Sequence, residues 1–365
     1  MESLPLQSRH ARLGGRFGAV AGREVVLHYG PEGSPGAPEE TAVARELRAM
    51  HEGAALVDLS VRDVVRVTGP DRVSYLQGML TNDVTGMPVG GVRYAALLTA
   101  KGAMVADARV VRREDDLLLL LEPGLGPTVL AHLERYLISE DAAVADASAE
   151  FGQLALVGPK AWELARTVFG LPGAEPPTAE LVLGGLEKRG VLVLPSALLV
   201  PGVDLLVHRA DLETVFDALL DEGDEVGLRP AGWEALEARR VEQGVPRYGA
   251  DMDERTIPLE ANLERALHYQ KGCYIGQEVI ARATFRGHVN RKLVGLLLSS
   301  AAAPRAELFQ GDRRVGWLTS VVQLPGLRKP IALGYVHRSS TEPGTELKLS
   351  GDGRAVVTSL PFPAA

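Results

Sequence analysis

Apolar and polar residues alternate in short runs along the first two-thirds of the chain. Asp63-Val64-Val65-Arg66-Val67 reads as a strand that Gly69-Pro70 ends, and a helix follows from Asp71 through Tyr75 and Leu76, with Pro70 suited to its first turn. Tyr94 to Thr99, Met104 to Val111 and Leu117 to Leu121 read as further strands. Val129, Leu130, Leu133 and Leu137 share one face at helical spacing and predict a helix over 127–138. The strand–Gly–Pro–helix phrase then returns, as Leu154 to Val157, Gly158-Pro159 and a helix carrying Trp162, Leu164 and Ala165. The two Gly-Pro pairs stand 89 residues apart, which suggests two related α+β halves. Pro230 to Gly244 predicts a helix with Pro at its entry and Gly at its exit, and Trp233, Leu236 and Val241 to bury.

Beyond residue 245 the rhythm changes. Residues 245–270 are irregular, and from Lys292 onward short strands alternate with turns: 293–298, 314–322, 331–336, 346–349 and 355–358. That rhythm predicts a small all-β barrel or jelly roll with a boundary near residue 290.

Composition narrows the classes. With 365 residues, 46% hydrophobic and 24% charged, the chain is an ordinary globular one and is long enough for two to three domains. A net charge of −8 argues against a general nucleic-acid coat. The start lacks a charged segment followed by an apolar one, and the most apolar stretch, Gly190 to Val203, is too short to span a bilayer and contains Pro195 and Pro201. A cytoplasmic protein with no membrane association is expected.

The single cysteine, Cys273, excludes an internal disulfide, a Cys-rich zinc site and a self-contained iron–sulfur cluster. It stands in Lys271-Gly272-Cys273-Tyr274-Ile275-Gly276-Gln277-Glu278. The flanking glycines place the thiol on a tight loop, while Lys271 and a helix starting near Gln277 would favour the thiolate. Glu278 would oppose that effect or accept a proton. A free cysteine is commonly a small buried hydrophobe, but these polar neighbours point to a reactive thiol. Arg282, Arg286, Arg291 and Lys292 then form a stretch without acidic residues, which reads either as an anion-attracting strip or as a solvated linker into the barrel.

Lys271 to Glu278, continuing through Val279-Ile280-Ala281-Arg282-Ala283 and Phe285-Arg286-Gly287, resembles the signature of the YgfZ family of folate-binding proteins, relatives of the glycine cleavage T-protein (aminomethyltransferase). Further similar phrases are Leu80-Thr81-Asn82-Asp83-Val84, Val157-Gly158-Pro159-Lys160-Ala161, Gly244-Val245-Pro246-Arg247-Tyr248-Gly249 and Ala332-Leu333-Gly334-Tyr335-Val336. The resemblance implies an α+β fold: two related α+β subdomains and a C-terminal β-barrel around a central site for tetrahydrofolate. It divides the chain into a folate-binding region at 1–260, with its subdomains sequential or interleaved, a linker with the cysteine motif at 261–291, and the barrel at 292–365. Asp204 stands where the T-protein family has a pterin-binding Glu, Arg240 matches an arginine near the folate, and Tyr94 and Tyr248 match aromatic positions lining the site. Asp107 is the single carboxylate where T-proteins carry two adjacent ones, and Glu122 replaces an Asn. The YgfZ resemblance implies a folate-binding factor that uses Cys273 to assist assembly or repair of iron–sulfur clusters in client enzymes, with tRNA modification affected indirectly. The T-protein resemblance implies a folate-dependent aminomethyltransferase with Asp107 as acid/base. No bound metal and no stable nucleic-acid partner are expected; folate and iron–sulfur client or assembly proteins are.

Overall fold

The computed structural model describes residues 3–30, 41–173, 191–196, 201–324, 329–351 and 353–362. Met1, Glu2, Gly190 and residues 197–200 of the apolar stretch lie outside them. The chain begins with α1 (Gln7–Arg12), β1 (Gly15–Val20), β2 (Arg23–Tyr29), α2 (Ala42–Glu52), β3 (Ala55–Asp58), β4 (Asp63–Thr68) and α3 (Arg72–Met79). It continues through β5 (Val92–Leu98), β6 (Met104–Arg112), β7 (Leu117–Leu121), α4 (Gly126–Tyr136), β8 (Ala143–Asp146), β9 (Phe151–Val157) and α5 (Ala161–Phe169). Next come β10 (Val191–Pro195), β11 (Gly202–His208), α6 (Leu212–Gly223), β12 (Arg229–Ala231), α7 (Trp233–Glu242) and α8 (Gln277–Phe285). The last strands are β13 (Arg291–Leu298), β14 (Glu307–Gln310), β15 (Arg313–Val322), β16 (Ile331–His337), β17 (Glu346–Leu349) and β18 (Arg354–Thr358).

These elements build two five-stranded sheets, in the orders β5-β6-β7-β4-β8 and β10-β11-β9-β3-β12, together with a β1-β2 hairpin and a closed barrel β13-β16-β15-β14-β17-β18. The chain divides into two compact units, one of residues 1–77, 83–94 and 108–236, the other of residues 78–82, 95–107 and 237–365.

Within the first unit the two halves exchange strands. β3 leads into β4 along the chain yet pairs with β9, whereas β8 leads into β9 yet pairs with β4. The repeated Gly-Pro phrase marks the matching corners. Gly69 and Gly158 both have positive φ, 99° and 134°. A Cβ on Gly69 would stand 2.3 Å from the Asp141 carbonyl oxygen, and one on Gly158 2.5 Å from that of Gly53. The same two carbonyls accept the N–H of Asp71 at 3.0 Å and of Lys160 at 2.9 Å. Each corner therefore binds its sheet to the segment just before the exchanged strand, and only glycine admits so close an approach. Alanine at either corner is expected to lower stability by at least about 2 kcal/mol, measured by denaturant unfolding.

The second sheet buries Leu56, Leu154, Leu156 and Leu205 against Trp162 of α5 and Phe216 and Leu219 of α6. The barrel fills its interior with Leu296, Leu298, Leu308, Leu318, Ala332 and Val336. Three local expectations need correction. Pro230 does not enter a helix: it lies in β12, an edge strand parallel to β3, where a missing N–H is tolerated, and the helix starts at Trp233. β14 escapes the sequence pattern because only Leu308 of its four residues is fully buried. Residues 261–291 are more than a linker in local structure, since they contain the nine-residue α8.

Glu46 on α2 is buried and accepts the backbone N–H of Tyr29 at 2.5 Å and of Gly232 at 2.9 Å, which ties α2 to β2 and to the start of α7. Burial pushes its carboxyl from the ordinary 4.5 up to about 7, against those two hydrogen bonds. The folded chain thus holds this proton more tightly than the unfolded chain. The Glu46 contribution to stability is complete below about pH 4.5 and is lost as pH rises towards 7. Up to about 3 kcal/mol should disappear across that window. Unfolding curves at pH 5 and pH 8 for the parent and for Glu46→Gln should differ in the parent and converge in the variant.

Candidate functional site

The residues singled out from the sequence fall into two sets. Tyr94 and Asp204 belong to the first unit; Asp107, Arg240, Tyr248, Lys271, Cys273 and Glu278 belong to the second.

Asp204 is no turn residue. It sits within β11, paired to Ala155 of β9 on one side and Leu194 of β10 on the other. Its Oδ2 accepts a hydrogen bond from Arg109 Nη1, and the side chain is 14% exposed. Arg109, on β6, is a residue that sequence reasoning passed over. Burial lowers its pKa, and Asp204 opposes that shift. Beside this pair Arg62 Nη2 donates to Glu122 Oε1 at 2.6 Å, so the Glu122 that replaces a family Asn has a cation of its own. Tyr94 is buried on β5.

In the second unit Asp107 is buried near the middle of β6. Its carboxylate lies close enough to raise the Tyr248 pKa, which burial first and the Glu254 and Asp253 carboxylates next push up to about 12. The Asp107 charge thus acts on Tyr248, although 141 positions separate them in the chain. Arg240 has a different place from an open ligand-facing one. Its Nε and Nη2 donate to Glu237 at 2.8 and 2.6 Å, its Nη1 to the Val245 carbonyl at 3.1 Å and Asp251 Oδ2 at 2.7 Å, and its Nη2 also to Ser320 Oγ at 2.7 Å. Burial by itself would lower the Arg240 pKa, but Asp251 and Glu237 hold it above its ordinary value. Asp251 in turn accepts from Thr319 and Ser320 of β15 at 2.5 and 2.8 Å and from the Arg247 backbone N–H at 3.1 Å. The arginine fastens α7 to the following loop and the barrel. Asp251 could have been suspected from its position in the irregular 245–270 segment; its partners could not.

Cys273 is exposed. Its loop is held by the Ile275 N–H, which donates to the Gly78 carbonyl at 3.1 Å, and by Lys271 Nζ, which donates to the Leu80 carbonyl at 2.6 Å and lies 5.2 Å from the Tyr274 ring centroid. The lysine therefore anchors the loop. Gly272 and Gly276 both have positive φ, 98° and 84°, and α8 starts at Gln277 as expected. Glu278 is 85% exposed and bonds Arg282 at 2.7 Å one turn along α8, a surface pair rather than a proton acceptor held against the thiol. The basic strip is also less free than its composition suggests. Arg291 pairs with Glu260 and lies over Trp317 and Tyr335, and Lys292 pairs with Glu264.

Comparison with known proteins agrees with this architecture. The GCVT N-terminal domain matches residues 6–271 and the glycine cleavage T-protein C-terminal barrel domain matches residues 291–362. An aminomethyltransferase of Saccharopolyspora erythraea is 32% identical, with 98% of this chain and 97% of the relative covered. One of Symbiobacterium thermophilum is 31% identical over 99% and 97%. The crystal structure of the glycine cleavage system aminomethyltransferase T from Bartonella henselae superposes with a TM-score of 0.85 at 26% identity, covering 99% of this chain and 98% of that one. Two α/β subdomains followed by a six-stranded barrel define a T-protein-like fold. The chain belongs to the glycine cleavage T-protein family. No helix among the described residues is long and apolar enough to cross a membrane.

Proposed function

We propose that this protein is a folate-dependent aminomethyltransferase of the T-protein type. The observation that carries this reading is similarity to proteins of that name along almost the entire chain, in sequence and in fold alike. Tetrahydrofolate, when bound, supplies N5 as the nucleophile that takes up the one-carbon unit. Asp107 would take the N5 proton as the first N–C bond forms and return it to the departing ammonia, and closure of the methylene bridge onto N10 would break the carbon–sulfur bond and release the carrier's thiol with the N10 proton. The burial of Asp107 supports that role, because a carboxylate shielded from water exchanges protons with the substrate rather than with solvent. Tyr248, in the same unit as Asp107, is proposed to bind the folate. Arg240, whose donors are all engaged by the protein, supports the loop that carries Tyr248.

A second reading, the YgfZ-type iron–sulfur maintenance factor, is favoured by one feature: the exposed thiol of Cys273 on its glycine-flanked loop. In that case iron–sulfur client or assembly proteins are the partners, and Cys273 acts by transient ligation or a mixed disulfide. The two readings separate cleanly. With an aminomethylated carrier and tetrahydrofolate, the purified chain should release ammonia and form methylenetetrahydrofolate, and Cys273→Ala should do so equally well. Absence of turnover, together with loss of iron–sulfur enzyme activities in cells lacking the protein that wild type restores and Cys273→Ala does not, would establish the second reading instead.

A further inference from the structure

A cavity of about 720 Å³ lies between the 249–256 loop and the barrel, and every residue lining it belongs to the second unit. Its walls carry four arginines, Arg255, Arg291, Arg305 and Arg314, against two carboxylates, Asp251 and Asp253. Three of the cations are matched: Arg255 by Asp253 at 2.7 Å, Arg291 by Glu260 at 3.0 Å and Arg314 by Glu307 at 2.9 Å. Asp251 is matched by Arg240. The Arg305 side chain has no ion-pair or hydrogen-bond partner among the described residues. In a chain of net charge −8, the cavity is thus a concave site with a positive surplus.

The backbone of Arg305 is unusual as well. Its φ is +71°, in the left-handed region that glycine enters freely and arginine only against steric strain. The Arg305 N–H donates to the Leu318 carbonyl at 2.8 Å and the Leu318 N–H to the Ala306 carbonyl at 2.9 Å, so β15 holds the residue in that conformation. Glycine would satisfy the turn with less strain. What arginine adds is its side chain, and the described residues make no use of it. We infer that this cavity binds a small multivalent oxyanion, a compound carrying phosphate or carboxylate groups, with Arg305 as its principal contact. The unpartnered guanidinium offers a planar fork to two oxygens of one group. Arg255 and Arg314 keep N–H groups beyond those given to Asp253 and Glu307, and these take a second anionic group. The site is separate from the residues assigned above to transfer and folate binding, since neither Asp107 nor Tyr248 lines the cavity.

Calorimetric titration of the full chain with inorganic pyrophosphate and with citrate, at constant ionic strength, tests the assignment. The parent should bind at least one of the two at a single site, and the stronger probe tells phosphate from carboxylate recognition; binding of neither overturns the site. Arg305→Gly should lose at least about tenfold in affinity. Its unfolding midpoint should match or exceed that of the parent, because glycine relieves the left-handed backbone. Unchanged affinity in this variant overturns the proposal, and so does a midpoint well below the parent's, which would give the side chain a role in the fold instead. Arg313→Gln removes the same charge from the neighbouring position of β15, outside the cavity, and should change the affinity less than about twofold. An equal loss there would mean diffuse attraction to the surface and no site. Both probes should bind as well with tetrahydrofolate in excess. Displacement by tetrahydrofolate would make these arginines part of the folate site and overturn a separate one, whereas failure of folate to bind at all leaves the anion result standing.

Discussion

Replacing Asp107 by asparagine is expected to lower aminomethyl transfer by about 10²- to 10⁴-fold while the fold and the affinity for folate stay close to those of the parent. Asparagine matches aspartate in shape and still accepts hydrogen bonds, so it leaves the packing of β6 almost unchanged, but it cannot take up and return a proton at neutral pH. Where the T-protein resemblance places two adjacent carboxylates, this chain reads Ala106 and Asp107. Successive residues of a strand face opposite ways, so two such carboxylates cannot both serve one site. Asp107, the carboxylate retained here, is one of three that raise the Tyr248 pKa, after Glu254 and Asp253. Steady-state ammonia release and a separate folate-binding titration distinguish the outcomes. Undiminished turnover in Asp107→Asn would sink the proposed proton transfer, and a matching loss of folate affinity would recast Asp107 as a binding residue.

The second large effect concerns the arginine taken from the sequence as a folate neighbour. Arg240→Met should lower stability by about 3–5 kcal/mol, because it removes the cation shared by two carboxylates and leaves the buried Asp251 with none. Asp251 is 3% exposed and receives Arg240 Nη1 together with the Thr319 and Ser320 hydroxyls, while Glu237 takes both Nε and Nη2. Burial alone would raise the Glu237 pKa; Arg240 and Arg247 hold it below its ordinary value instead. Without Arg240, Glu237 retains Arg247 at 2.9 Å, whereas Asp251 is left with hydroxyl and backbone donors only. Arg240→Lys should recover part of the loss, since an ammonium offers one point of charge where the guanidinium reaches Glu237, Asp251, Val245 and Ser320 together. Chemical denaturation of the three proteins measures the series. A midpoint for Arg240→Met equal to that of the parent would show that the network contributes nothing net.

Both predictions turn on what a linear chain displays. Strands such as 63–67, 117–121 and 331–336 were legible because their apolar runs and bounding turn residues are local properties of the backbone. The Gly-Pro corners were legible for the same reason, since the conformation each demands is written in two neighbouring residues. The cysteine loop likewise announced itself, and the thiol is exposed between two glycines of positive φ ahead of a helix. Edge strands were harder. β12 was hidden behind a proline that also begins helices, and β14 buries too little to leave a pattern.

What the sequence by itself determined, then, was the elements with clear local patterns, the barrel and the position of the one thiol. Only the tertiary structure decided which charges meet. Arg109 and Asp204 lie 95 positions apart, Arg240 and Ser320 lie 80 apart, and β3 and β8 each pair outside the sheet of the strand that follows them in the chain. Propensity and periodicity act over a few residues, whereas an ion pair depends on distance in space and on the burial that makes its loss unfavourable. For that reason Arg240 looked like a ligand contact and proved to be fastened into the protein, while Arg109 attracted no notice until its unpartnered N–H groups could be seen.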